Sequence, residues 1–274
     1  MDLIDVMEKR GKVLIAVLHL PPLPGSPRGD DSGFETIYQG ALADALLYRD
    51  AGVDAILVEN HGDAPFFKEE NPPEVRTAAG ILLDRIRREC SLPLGLNLLR
   101  NDALGALGVV AASGADFIRV NVLTGVVATD QGIVEGRGAE LMRRRKALCP
   151  RVKVLADVDV KFSSPLYHPP LVTAARSTIQ RGLADAVILS GQATGEAVDV
   201  QQLEDLRHQL PTARILVGSG ACMENLESLL SHADGVIVGS ALKEGGYVEA
   251  PVAPRRLRAF ASLFDELRNR CRNP

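Results

Sequence analysis

In the stretch ADVDVKF, three charged side chains recur at every second position: Asp157, Asp159 and Lys161. A continuing strand would turn all three to one face, and Val158 and Val160 to the other. Two carboxylates beside an ammonium could hold a divalent cation such as Mg²⁺, or orient Lys161 as an acid, a base or a Schiff-base amine. The plainer alternative is a strand emerging into solvent with ordinary ion pairs. Against it, charges gathered in a buried mouth are unfavourable unless they have a task. Further polar residues stand where other apolar runs end. Glu59 closes one of them and is the second candidate for a catalytic or metal-binding carboxylate. His19 follows another and is a catalytic candidate too, although a histidine at a strand end often only bonds a backbone carbonyl. The amides of Asn97 and Asn121, at the ends of two more runs, would suit the hydroxyls of a sugar-like ligand or, equally, loop backbone.

A second kind of chemistry is written in RILVGSGACMENLESLLSHADGVIVGSALK, residues 214–243. Two short Val/Ile-rich runs there end in Gly-Ser, giving Gly218-Ser219-Gly220 and Gly239-Ser240. Small turns at strand exits let backbone N–H groups approach an anion closely. In (β/α)8 barrels the last two such turns often bind phosphate; otherwise these glycines serve only tight turns. Ser190-Gly191, opening the polar loop that runs to Gly195, could extend the cradle.

The elements that would carry these residues alternate along the chain. Eight apolar runs, at 13–18, 55–59, 94–98, 117–121, 152–157, 186–189, 215–217 and 236–238, are separated by amphipathic segments at 35–50, 73–90, 102–113, 138–148, 171–180, 200–209 and 224–231. Residues 255–270 make a closing helix. Strand and helix patterns in strict alternation mean βα units and a parallel sheet, and eight of them favour closure. The approaches to the even-numbered runs, AGVDAI, SGADFI, RGLADAV and SHADGVI, each place Asp at the strand start, whereas LPLGL, CPRVKV and LPTARI before the odd ones carry Pro. A period of two units is thus expected. Links into the strands are short and several links out of them are long, which puts the functional face at the strands' C-terminal ends.

Composition agrees. The 274 residues suit one (β/α)8 domain spanning 1–274, and 46% hydrophobic content excludes disorder. A net charge of −4 gives no footprint for nucleic acid. The four cysteines match no zinc or redox spacing, the N-terminus is too charged for a secretory signal, and no apolar stretch is long enough to span a bilayer. A soluble cytoplasmic protein is expected, homo-oligomeric as barrels of this size often are, with a phosphorylated small molecule as ligand.

The segments HLPPLPGSP, VENHGDAPF, GLNLLRND, DFIRVNVLTG, ADVDVKFSSPL and LSGQATG, followed by LVGSG and VIVGSALK, resemble the BtpA family over nearly the whole chain. That resemblance implies a barrel related to phosphate-binding barrels. It also implies a possible second role, named from photosystem I biogenesis: a non-catalytic assembly factor that attaches peripherally to a membrane complex. The family pattern has histidine where this chain carries Asp159 and Phe162, so an Asp/Asp/Lys site is expected here in place of histidine chemistry. As an enzyme the protein would be a lyase, isomerase or hydrolase of a phosphorylated sugar or nucleotide derivative.

Overall fold

The structure, a computed structural model, describes residues 2–29, 33–191 and 197–272, with the backbone but not the side chains of Asp159 and Arg272. Residues 192–196, which hold the QATG part of the polar loop expected from Ser190 to Gly195, lie outside the described residues.

The eight apolar runs all form strands of one closed parallel barrel. In chain order these are β1 (Val13–His19), β2 (Ala55–Glu59), β3 (Leu94–Asn97), β4 (Phe117–Val120), β7 (Lys153–Asp159), β9 (Ala186–Leu189), β10 (Ile215–Val217) and β11 (Gly235–Val238). β11 closes on β1 through the register Val13↔Gly235 to Ala16↔Val238. Helices α2 (Gly33–Asp50), α3 (Pro73–Glu89), α4 (Ala103–Ser113), α5 (Gly138–Leu148), α6 (Leu171–Gln180), α7 (Val200–Gln209), α8 (Leu226–His232) and α9 (Pro254–Arg272) fall where the amphipathic segments are. α8 starts two residues later than the pattern suggests. Asn225 holds the preceding turn instead, accepting from Cys222 N at 2.9 Å and donating to Gly220 O at 2.8 Å.

Strand periodicity sorts the core into two parts. Outward positions such as Leu14, Ala16, Ile56 and Val58 pack under the helices. Inward positions Val13, Ile15, Val17, Leu57, Phe117, Leu155, Ile188, Leu216 and Ile237 fill the barrel. With them cluster Leu3, Ile4, Val6 and Met7 of α1 (Leu3–Arg10), a helix that plugs the barrel and that the charged N-terminal sequence did not announce. Gly95 faces inward beside Phe117, where a Cβ would lie 2.2 Å from the ring, so the largest interior side chain fits because its neighbour has none.

The alternating Asp signature has a structural cause. Asp54, Asp116, Asp185 and Asp234 each precede an even barrel strand and grip the odd strand before it at two points. Their carboxylates accept from Leu14 N, Leu94 N, Val154 N and Ile215 N at 2.8–2.9 Å. Their own backbone N–H groups donate to the carbonyls of those same four residues at 2.7–2.9 Å. Each clamp satisfies backbone groups that would otherwise be left at the barrel's lower rim. Asp54 also pairs with Arg10 of α1 and Arg268 of α9, tying both helices to one carboxylate.

The long loops lie at the opposite rim. Those after β4 and β7 build a small antiparallel sheet of their own, in the order β6 (Gly132–Glu135), β5 (Val126–Thr129), β8 (Ser164–Pro165). The first part of the Pro-rich loop after β1 is packed against the barrel: Leu20 and Leu23 are buried, and Asp63 accepts from Leu23 N at 2.7 Å. Gly62 is required beneath it, because a Cβ there would sit 2.4 Å from Pro22 N. In the next loop Phe66 is half-buried and Phe67 exposed.

Candidate active site

Above the apolar layers, the next inward position on the strands is polar or glycine all the way round: His19, Glu59, Asn97, Arg119, Asp157, Ser190, Gly218 and Gly239. The period of two that keeps valines inside the barrel therefore delivers these residues to one ring at its mouth. Asn121, one step further along the fourth strand's exit, joins them.

Arg119 is the centre of the ring, and the sequence reading missed it. Its guanidinium makes two hydrogen bonds to Asp157, Nε to Oδ2 at 3.1 Å and Nη2 to Oδ1 at 2.9 Å. The two side chains are 4% and 1% exposed, so this is a buried bidentate pair, strong in a medium that screens little. Asn121 Nδ2 adds a third bond to Asp157 Oδ2, at 2.7 Å. Arg119 also extends across the mouth towards β10: a Cβ on Gly218 would lie 3.4 Å from its Nη2, 2.8 Å from Ser190 Oγ and 2.4 Å from Ile188 Cγ2. The signal was present in the sequence, since Phe117, Arg119 and Asn121 share a face and a charge inside so apolar a run needs a partner.

Glu59 is buried, with Oε2 accepting from Asn97 Nδ2 at 2.7 Å. Burial alone would raise its pKa, but the basic groups around it, His19, Arg119, His61 and Lys161, outweigh burial and hold it below the ordinary glutamate value. His19 is pushed down to about 3, chiefly by burial, against the pull of Glu59. It is therefore neutral at pH 7, and Arg119 is the permanent charge that keeps Glu59 ionised. His19 Nε2 stands 3.8 Å from Glu59 Oε1, beyond hydrogen-bonding distance, and the His61 ring meets His19 edge-on at 5.1 Å between centroids.

Lys161 lies just past the end of β7. The strand does not run on regularly, because its pairing with β9 shifts register between Asp157 and Asp159. Of the expected triple face, Asp157 and Lys161 share a field, and the side chain of Asp159 lies outside the described residues. The Lys161 ammonium has its pKa lowered, first by burial and then by Arg119, with Glu59 and Asp157 opposing. Arg100 pins the backbone beside it, Nη2 donating to Lys161 O at 2.5 Å, and Phe162 follows in the left-handed region at φ 54°.

The Gly-Ser turns divide in two. Gly218 and Gly239 belong to the ring, and packing explains both: a Cβ on Gly239 would lie 2.4 Å from His19 Cε1. Ser219, Gly220 and Ser240 lie beyond them on the turns, with Gly220 at φ 71° and Ser240 opening a short 3₁₀ turn to Leu242. Lys243, buried at the end of that turn, donates to Val248 O and has its pKa lowered by burial. Gly191 is buried beside Ser190. Three buried polar atoms of the ring have no hydrogen-bond partner among the described residues: His19 Nδ1, Asn121 Oδ1 and Ser190 Oγ. Among those residues, no group of three or more His, Cys, Asp or Glu side chains converges on one point.

The residues around this ring set it among known proteins. A Thermococcus kodakarensis protein described as uncharacterized is 46% identical, over 96% of this chain and 98% of its own. The photosystem I biogenesis protein BtpA of a Synechocystis strain is 43% identical, over 97% of this chain and 92% of its own. Among solved structures, phosphoribosyl anthranilate isomerase from Thermus thermophilus superposes with a TM-score of 0.55 at 16% identity, covering 93% of this chain and 99% of that one, a likeness of fold alone. The BtpA family profile matches residues 10–266, and the chain belongs to the BtpA family.

Proposed function

We propose that this protein is an enzyme that binds a phosphorylated, hydroxyl-bearing small molecule at the barrel mouth and carries out acid–base or amine chemistry on it, as a lyase or isomerase does. The observation that carries this is the buried charged ring. Glu59, Arg119 and Asp157 lie together out of water with Lys161 beside them, and three polar atoms of the same ring stay unpartnered among the described residues. Stability alone is poorly served by such an arrangement, since apolar side chains of similar volume hold a core as well or better. Lys161, whose pKa is lowered by burial, is the amine placed to act as an acid or base or to attack a carbonyl. Glu59 supplies an ionised carboxylate, while the amides of Asn97 and Asn121 offer hydrogen bonds to the ligand. Arg119 fixes Asp157 and keeps Glu59 charged.

The phosphate would lie on the turns Gly218-Ser219-Gly220 and Gly239-Ser240, with Lys243 as the nearby cation. A divalent metal, if the ligand brings one, would meet Asp157 or Glu59. A cytoplasmic setting suits the four unpaired cysteines, and no helix among the described residues is long and apolar enough to cross a membrane. The name of the Synechocystis relative favours a second reading, an assembly factor docked peripherally on a membrane complex. Exposed Phe67, Phe162, Leu166 and Tyr167 would then be its contacts.

A thermal-shift series with inorganic phosphate, sugar phosphates and nucleotides separates the two. Ligand at about 100 times its dissociation constant adds roughly 2.7 kcal/mol to stability. A shift that disappears in Ser240→Asp supports the enzyme; no shift with any phosphate compound refutes it.

A further inference from the structure

A cavity of about 770 Å³ reaches the ring from the side of Asn121 and Asp157, running between the β6-β5-β8 sheet and α6. It does not touch Gly218, Gly239 or Ser240, so it is separate from the proposed phosphate turns. Its size lies in the range of small-molecule sites. Val126, Val127, Val160, Leu171 and Ala174 are its apolar lining, beside polar Thr124, Ser163, Ser177 and Arg181. The apolar side chains suit the faces of a ring, and the polar ones its edge.

At the inner end stand Asn121 and Asp157. Asn121 is 5% exposed, and its Nδ2 is committed to Asp157 Oδ2 at 2.7 Å. The amide is therefore fixed with Oδ1 as its free end, and that oxygen is buried without a partner among the described residues. A buried acceptor left unmatched is unfavourable, and a ligand N–H or O–H arriving there would relieve it. Apolar lining with a free acceptor at Asn121 suits a planar ring that carries a donor on its edge.

We propose that this cavity takes the heterocyclic base of a nucleoside monophosphate or similar phosphoribosyl compound, with a ring N–H or amino group donating to Asn121 Oδ1. Sugar and phosphate would then extend across the mouth. This rests on the proposed function for the position of the phosphate, but not for the base.

Titration calorimetry with ribose 5-phosphate, adenosine, inosine, uridine and their 5′-monophosphates tests it. On the unmodified protein, at least one nucleotide should bind about tenfold or more tighter than ribose 5-phosphate. Ala174→Trp fills the cavity from one turn of α6 and Ser177→Trp from the next, so one folded variant, checked by circular dichroism, suffices. The variant should lose that gain and leave ribose 5-phosphate affinity unchanged. Nucleotides that bind no better than ribose 5-phosphate, or a gain that survives both filled variants, overturn the assignment while leaving the phosphate site standing. If nucleosides bind, are lost in the filled variants and gain nothing from their phosphate, the cavity is upheld and the phosphate site fails.

Discussion

Replacing Arg119 by methionine removes the ring's permanent cation while keeping most of the side chain's volume. In the native protein Arg119 and Asp157 are 4% and 1% exposed, so solvent screening does not dilute the loss. Breaking one side of a buried pair costs about 3–5 kcal/mol, because the other charge is left without compensation. For a chain of this size that corresponds to a fall of roughly 10 °C in Tm. The loss should also depend on pH, with a definite sign. Glu59 now has a pKa below its ordinary value, so it contributes stability above that value and loses it as pH falls through the depressed one. Without Arg119, less positive charge opposes burial and the folded-state pKa is higher than in the parent. Relative to the parent, the variant then loses stability progressively as pH rises through its higher value. Urea unfolding at about pH 5 and about pH 8 should show a gap between variant and parent that widens towards the higher pH. Adding Asp157→Asn to the variant should recover part of the loss, since it removes the stranded carboxylate. A gap below about 1 kcal/mol, or one equal at both pH values, would refute this account of the ring.

Gly239→Ala drives a methyl into His19 and should cost about 1–3 kcal/mol, most of it restored by the double variant Gly239→Ala/His19→Ala in a thermal cycle. If the two losses simply add, the glycine is not there for the histidine. His19 itself should make the fold acid-sensitive. Its pKa lies at about 3 in the folded protein against 6.5 unfolded, so the unfolded chain binds the proton first and stability declines as pH falls below about 6.5. The slope approaches about 1.4 kcal/mol per pH unit, and His19→Gln should flatten the profile by that amount between roughly pH 6 and 4; an unchanged profile would contradict the burial. For Lys161, brief treatment with pyridoxal 5′-phosphate and borohydride at neutral pH should label it ahead of exposed Lys9 or Lys146, as read by peptide mass spectrometry. Preferential labelling of surface lysines would exclude an activated amine.

Most of the architecture could be read from periodicity, because a two-residue repeat inside short Val/Ile runs has one physical meaning in a closed parallel barrel. The same repeat placed His19, Glu59, Asn97, Asn121, Asp157 and Ser190 at one rim. It could not show that Arg119 joins Asp157, since that pairing links strands nearly forty residues apart and depends on how the barrel closes. Local irregularity hid other features. The shift of register after Asp157 takes Lys161 off the simple alternation, and α1 has too little length and too much charge to stand out before its apolar face meets the barrel floor. Gly218 and Gly239 were legible as special positions, but packing against Ile188, Ser190 and His19 accounts for them before any anion is invoked. The β6-β5-β8 sheet escaped notice because its strands are short and lie inside segments that are otherwise rich in turn formers.

The aspartate clamps divide the wall of the barrel into four cassettes, β1 with β2, β3 with β4, β7 with β9, and β10 with β11. Inside a cassette a side chain and a backbone group hold the two strands at the lower rim. At the junctions between cassettes, backbone bonds such as Lys153 N to Asp116 O and Val187 N to Arg214 O make the link. Recombination therefore has natural seams in this molecule. A cassette brings its own fastening at the lower rim. At the mouth the seams are crossed, by Asn97 with Glu59 and by Arg119 and Asn121 with Asp157, so a cassette exchanged as a unit must bring matching partners for the polar ring.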